Sequence, residues 1–145
     1  MIEKADSRVL PEGCRLVRLP MMKDRRGCLS FLQASSDIPF RIERVFWIWG
    51  VPEGQKRGGH AHRTCSEVVF PVTGAFTMYV DDRTQRTEVR MDDPSCGILI
   101  PAGMWCELSD FKTGTACVVV ASHPYDADGY INTYEDYLKE GEVAK

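Results

Sequence analysis

A chain of 145 residues, 43% hydrophobic and 27% charged, has the size and composition to bury one core, so a single domain over 1–145 is expected. A net charge of −3 with dispersed basic residues excludes a global basic field for nucleic acid or membrane, and no apolar run reaches membrane-spanning length. The polar start MIEKADSRVLPEG excludes a signal peptide, so a cytoplasmic protein is expected, with reduced thiols at Cys14, Cys28, Cys65, Cys96, Cys106 and Cys117.

Residues 1–13 read as a loosely ordered lead-in. Alternation over 14–19 predicts a short strand, and Asp24-Arg25-Arg26-Gly27 predicts a turn before a second strand at 28–32. Arg26 in that turn could reach a phosphate or simply be solvated. The segment 41–49, with Ile42, Val45, Phe46, Trp47, Ile48 and Trp49, is apolar on both faces and predicts a strand buried on both sides. A loop then runs to Gly58-Gly59, followed by a strand over 66–72. Residues 75–80 and 84–91 predict a hairpin with an acidic turn. Further strands are expected at 96–100, 104–109 and 115–122. Over 126–140, Tyr130, Tyr134, Tyr137 and Leu138 fall at helical spacing, and Asp126 or Asp128 can cap the helix. Many short strands followed by one terminal helix indicate an all-β barrel or jelly roll.

The chemistry concentrates at Arg57-Gly58-Gly59-His60-Ala61-His62. On a strand, His60 and His62 share one face about 7 Å apart, a spacing that suits a metal or a proton-transfer substrate. His123, before a proline in a turn, reads as a loop residue. Trp47 and Trp49 suit either ring stacking or the core.

His60-x-His62-x4-Glu67-x6-Gly74 resembles the first motif of the cupin barrels, and Gly97-x3-Pro101-x-Gly103-x2-Cys106 resembles the second, with Cys where a His is usual. In metal-binding cupins these positions ligate the ion, so the resemblance implies a possible set His60, His62, Glu67 and Cys106. Over most of the chain, RVFWIWGVPEGQKRGGHAHRT, PAGMWCELSDF and ASHPYDADGYINTYEDYLKE resemble the nucleotide-sugar 3,4-ketoisomerases acting on dTDP-4-keto-6-deoxyglucose, and the WxcM-like domains. That resemblance implies a cupin jelly-roll with no metal or other cofactor, acting on a dTDP-linked keto sugar. It also implies a homodimer with exchanged N-terminal strands.

Carried across, His60 and His62 are the catalytic pair that moves protons between C3 and C4 through an enediol(ate). Arg57 would bind diphosphate or oxyanion, and Trp105 would contact the ligand. Glu67, Arg26 and Arg44 complete the expected substrate-binding set. The chain departs from the family pattern at Phe46 and Trp47, where a tyrosine pair is common. Cys106 and Ser109 stand where histidines are usual, Asn132 replaces an arginine, and Glu67 replaces a glutamine. These departures motivate two alternatives, a metal-dependent cupin enzyme and a non-catalytic sugar-nucleotide binding module.

Overall fold

The computed structural model describes residues 9–143. In chain order the strands are β1 (Arg15–Arg18), β2 (Met21–Asp24), β3 (Gly27–Ser30), β4 (Arg44–Trp49), β5 (Arg57–His62) and β6 (Glu67–Thr73). They continue as β7 (Phe76–Asp81), β8 (Arg86–Met91), β9 (Cys96–Ile100), β10 (Trp105–Ser109), β11 (Ala116–Ala121) and β12 (Tyr130–Ile131), followed by the helix α1 (Tyr134–Val143). Two five-stranded antiparallel sheets form, in the orders β1-β9-β6-β11-β4 and β12-β5-β10-β7-β8, while β2 and β3 pair as a separate hairpin. The expected all-β architecture with a short C-terminal helix is what the chain adopts.

Alternation places Phe76, Met78 and Val80 of β7 on the inner face, where they meet Ile98, Ile100, Val69 and Val119 of the opposite sheet. A second cluster, Val17, Val68, Leu99 and Val120, lies on the outer face of the first sheet, under Ile38, Phe40 and Ile42. A third, Ala61, Trp105, Ile131 and Tyr137, fills the space between the second sheet and α1.

Three expectations are corrected. The first concerns β4, which is not buried on both sides. Phe46 and Ile48 pack against the core, whereas Val45, Trp47 and Trp49 point outward and are 49%, 61% and 68% exposed. β4 ends its sheet, and the cover supplied by 31–43 packs on the strands before it, reaching Val118 and Val120 of β11.

The second concerns the helix expected over 126–140. Asp126 caps only a 3-10 turn (Ala127–Gly129) by accepting from the Asp128 amide. Tyr130 and Ile131 then become a strand, because β5 offers an open edge whose backbone they satisfy. The helix begins after Thr133, whose hydroxyl accepts from the Asp136 amide at 3.1 Å. Leu138 lies on the helix but is 39% exposed.

The third concerns the lead-in. Residues 1–8 lie outside the described residues, and the largely exposed stretch 9–13 is anchored at two points. Pro11 is fully buried, and the Val9 carbonyl accepts from the Thr87 hydroxyl at 2.7 Å.

Asp81, fully buried at the end of β7, ties α1 to the second sheet. Its carboxylate accepts from the hydroxyls of Tyr79 (3.0 Å) and Tyr134 (2.5 Å) and from the Arg83 amide (2.7 Å), and it lies 3.3 Å from the Arg86 guanidinium. Tyr137 adds bonds from its hydroxyl to the Asp81 and Gly103 carbonyls. Asp81→Ala strands two phenol hydroxyls and an amide, so a loss of about 2–4 kcal/mol is expected in denaturant unfolding. A loss below about 0.5 kcal/mol, the range of ordinary surface substitutions, would show that α1 docks without this carboxylate.

Candidate active site

The two glycines before His60 lie inside β5 rather than in a loop leading to it. Cys106 of β10 is opposite His60, but Glu107 is opposite Gly58, so Gly59 has no partner and forms a bulge. Gly58 and Gly59 have φ of +78° and +74°, a region that glycine enters without penalty. The bulge changes the phase of the strand. Cys106 and Leu108 both face the inner core, so their opposite numbers, His60 and Arg57, face inward too. In an unbroken strand His60 and Arg57, three apart, would point to opposite faces. The bulge thus brings Arg57 into line with both histidines.

Arg57 lies at the rim, in a cleft of about 470 Å³ lined also by Trp47, Ile48, Trp49, Gln55 and Lys56. Farther along β5, His62 lines a second cavity of about 260 Å³ with Arg44, Thr64, Tyr125 and Tyr130. The imidazoles of His60 and His62 meet edge to face at 4.8 Å. Burial, and then the neighbouring His62, hold His60 below the ordinary imidazole range, against the pull of Glu67 and the Gly58 carbonyl.

Glu67, at the start of β6 and almost fully buried, puts a carboxylate oxygen 3.3 Å from His62 Nε2. The contact is too poorly directed to be a hydrogen bond, and His62 Nε2, Glu67 Oε2 and Arg44 Nε are all buried with no hydrogen-bond partner among the described residues. Three orphaned polar atoms around one pair of imidazoles are uncommon, because buried polar groups are nearly always paired. Such a constellation suits a polar ligand.

Not every expected site residue joins this group. Trp105, expected at the ligand, is only 4% exposed and points to the outer face of β10, among Ala61, Ile131 and Tyr137. Its indole N–H donates to Glu107 at 2.8 Å, and a neighbouring position on β10, Cys106, faces the histidines instead. Arg26 sits at the tip of the β2–β3 hairpin, ion-paired with Asp24 at 2.6 Å. Of the four possible metal donors, His60, Glu67 and Cys106 converge to within 4.8 Å of one another. Donors bound to zinc at about 2.0–2.3 Å would lie roughly 3.3–3.8 Å apart, so holding an ion would require the widest pair to close by about 1 Å. Burial and Glu67 push the Cys106 thiol far above its ordinary range, so in the absence of a cation it is a neutral, packed thiol.

Tyr130 was not among the expected site residues. Opposite His62 on β12, it puts its ring 4.5 Å from His62 and 4.9 Å from His60, and its hydroxyl 3.4 Å from Arg44 Nη1. Helical spacing of the tyrosines hid it. The clue was Thr133-x-x-Asp136, which starts a helix three residues later than Tyr130.

The family model FdtA, described as WxcM-like, C-terminal, matches residues 12–142. The chain belongs to this family. It is 30% identical over 125 residues to the TDP-4-oxo-6-deoxy-alpha-D-glucose-3,4-oxoisomerase of Aneurinibacillus thermoaerophilus, covering 86% of this chain and 90% of that protein. Among solved structures, a variant of the 3,4-ketoisomerase QdtA from Thermoanaerobacterium thermosaccharolyticum, in complex with TDP-4-keto-6-deoxyglucose, superimposes with a TM-score of 0.89. The identity is 28%, with 92% of this chain and 97% of that one covered. The TDP-quinovose 3,4-ketoisomerase WlaRB of Campylobacter jejuni follows at 30% identity and TM-score 0.84, covering 89% of this chain and 99% of that one.

Proposed function

We propose that this FdtA-family chain is an isomerase that moves the keto group of a TDP-linked 4-keto-6-deoxyhexose from C4 to C3. The observation that carries the reading is the inward line of His60, His62 and Arg57, which the bulge at Gly59 creates. Its relatives' ligands and activities agree with it.

The chemistry follows from the geometry. The C3 proton lies α to the C4 ketone, and an imidazole held neutral by burial is a base for it. As the C3–H bond breaks, its electrons form C3=C4 and charge moves onto O4. The same imidazolium returns the proton at C4, and O3 becomes the new carbonyl. We assign the carbon proton to His60. His62, beside the Glu67 carboxylate, is assigned to steady the charge on the enediolate. With Gly59 bulged out, Arg57 lies two ladder positions from His60, about 7 Å along the sheet, and its long side chain extends the reach from the reacting edge of a hexose toward its diphosphate. Lys56 shares that cleft. A guanidinium fork there suits paired phosphate oxygens.

Incubation with TDP-4-keto-6-deoxyglucose in deuterated water is the test. Deuterium at C3 or C4 and a 3-keto product are expected by NMR. No exchange with any TDP-linked 4-ketosugar would overturn the isomerase reading.

We further infer that two copies pair. The outer faces of β4 and the β2–β3 hairpin expose Val45, Trp47, Trp49, Met21, Met22 and Leu29, more apolar surface than isolated positions on a lone subunit explain. A hairpin separate from both large sheets is the segment suited to reach a partner. Sedimentation velocity should give a dimer for the wild type and a monomer for Trp47→Glu with Trp49→Glu. A monomeric wild type at micromolar concentration would refute the pairing.

A further inference from the structure

Isomerisation moves a proton between oxygens as well as between carbons. O4 must gain one as its carbonyl becomes a hydroxyl, and O3 must lose one. His60, engaged with the carbon proton, is not free to do both, and the Nε2 of His62 lies 3.3 Å from the Glu67 carboxylate. Position 46, at the middle of β4, is a phenylalanine and supplies no hydroxyl.

We propose that Tyr130 is a further catalytic residue, passing a proton from its hydroxyl to O4 and recovering one from O3, with Arg44 as its positioning residue. The proposal rests on the isomerase reading above. Four observations carry it. Tyr130 pairs directly with His62 across β12 and β5, so it shares the inward face of the histidines. Its ring lies against both imidazoles, at 4.5 and 4.9 Å. It lines the same cavity as His62 and Arg44.

The fourth is the direction of the hydrogen bond. Arg44 Nη1 donates to the Tyr130 hydroxyl at 3.4 Å. A guanidinium has no acceptor, so that bond occupies a lone pair of the phenol oxygen and leaves its proton free for another partner. Arg44 is itself held in place, 5.3 Å over the Phe46 ring and 5.7 Å from the Tyr125 ring.

The step balances. As His60 removes the C3 proton and C3=C4 forms, Tyr130 gives its proton to O4, leaving an enediol and a phenolate that faces the Arg44 cation. As C4 takes the proton back from His60, the O3–H bond supplies the C3=O π electrons and its proton returns to the phenolate. Tyr130 ends as it began, and no oxidant or other reactant is needed.

Tyr130→Phe tests this, because it keeps the ring against the histidines and removes only the hydroxyl. With TDP-4-keto-6-deoxyglucose, kcat should fall by about 100-fold or more. KM should stay within about twofold and Tm should be unchanged. Site-specific 3-fluorotyrosine at 130, which keeps the hydroxyl but makes it more acidic, should restore turnover and shift kcat and its pH profile. A purely structural hydroxyl would leave that profile unmoved. Three results overturn the proposal: a Tyr130→Phe kcat within about threefold of wild type, a loss confined to KM, or a fluorotyrosine profile identical to wild type. If the wild type turns over while Tyr130→Phe matches it, this proposal alone fails. If the wild type and every variant are inert, both readings fail.

Discussion

His60→Asn is expected to lower kcat for the TDP-linked ketosugar by about 10²–10⁴-fold, with loss of deuterium exchange at C3 and little change in TDP affinity. Asparagine keeps a polar side chain at the position but offers no base. The groups facing His60 are His62 on its own strand, Glu67 on β6, Arg44 on β4, Cys106 on β10 and Tyr130 on β12. Their net effect, with burial foremost, lowers its pKa below 6.5. A base whose pKa is lowered remains unprotonated at pH values where a free imidazole would already be charged. The acid limb of wild-type kcat/KM should therefore lie below pH 6.5. A limb above that value, or a His60→Asn enzyme that still exchanges C3, would take the carbon base away from His60.

Insertion of one alanine between Arg57 and Gly58 is the second large effect. The bulge stays, the added residue takes the place opposite Leu108, and Arg57 moves opposite Ser109, onto the outer face. A phosphate-binding guanidinium lost from the cleft costs about 2–4 kcal/mol, so kcat/KM should fall by roughly 30- to 1,000-fold, mainly through KM. Gly59→Ala should be far milder. A methyl group there meets nothing within 4 Å, so the register survives and only the left-handed φ is penalised, by about 1–2 kcal/mol of stability. A double-mutant cycle separates lost phase from general damage. Arg57→Ala should be costly in the wild type and nearly silent in the insertion variant. An equal cost in both backgrounds would show that Arg57 does not depend on its phase along β5.

The strands were legible wherever local alternation coincided with one buried and one exposed face, as in the β7–β8 hairpin. β4 misled because composition reports apolar residues but not what covers them. Trp47 and Trp49 are as apolar as a core strand requires, and only the sheet order reveals an edge. The histidine pair was legible from spacing alone, since the i, i+2 rule needs nothing beyond the strand. The phase of Arg57 was not. Gly58-Gly59 announces a special backbone, but whether it makes a loop or a bulge depends on β10, nearly fifty residues away. Tyr130 and Trp105 exchanged expected roles for a similar reason. Tyrosines at helical spacing masked a two-residue strand, and the inward face of β10 fell to Cys106 rather than to the tryptophan beside it.

The cavity lined by His62, Arg44 and Tyr130 lies between two sheet ends, β4 and β12. Unpaired strand edges invite other chains to add on, and a ligand cleft cannot be protected by covering it. Here β12 is only two residues long and turns at once through Asn132 into the cap of α1, too short a template for an incoming strand. Across the gap, Arg44 places a charged side chain at the start of β4 and joins the two ends through Tyr130. The lips of the cleft are thus open to a small polar molecule yet poor sites for growth of an intermolecular sheet. Lengthening β12 at the expense of the Thr133 cap would exchange that resistance for a tendency to aggregate.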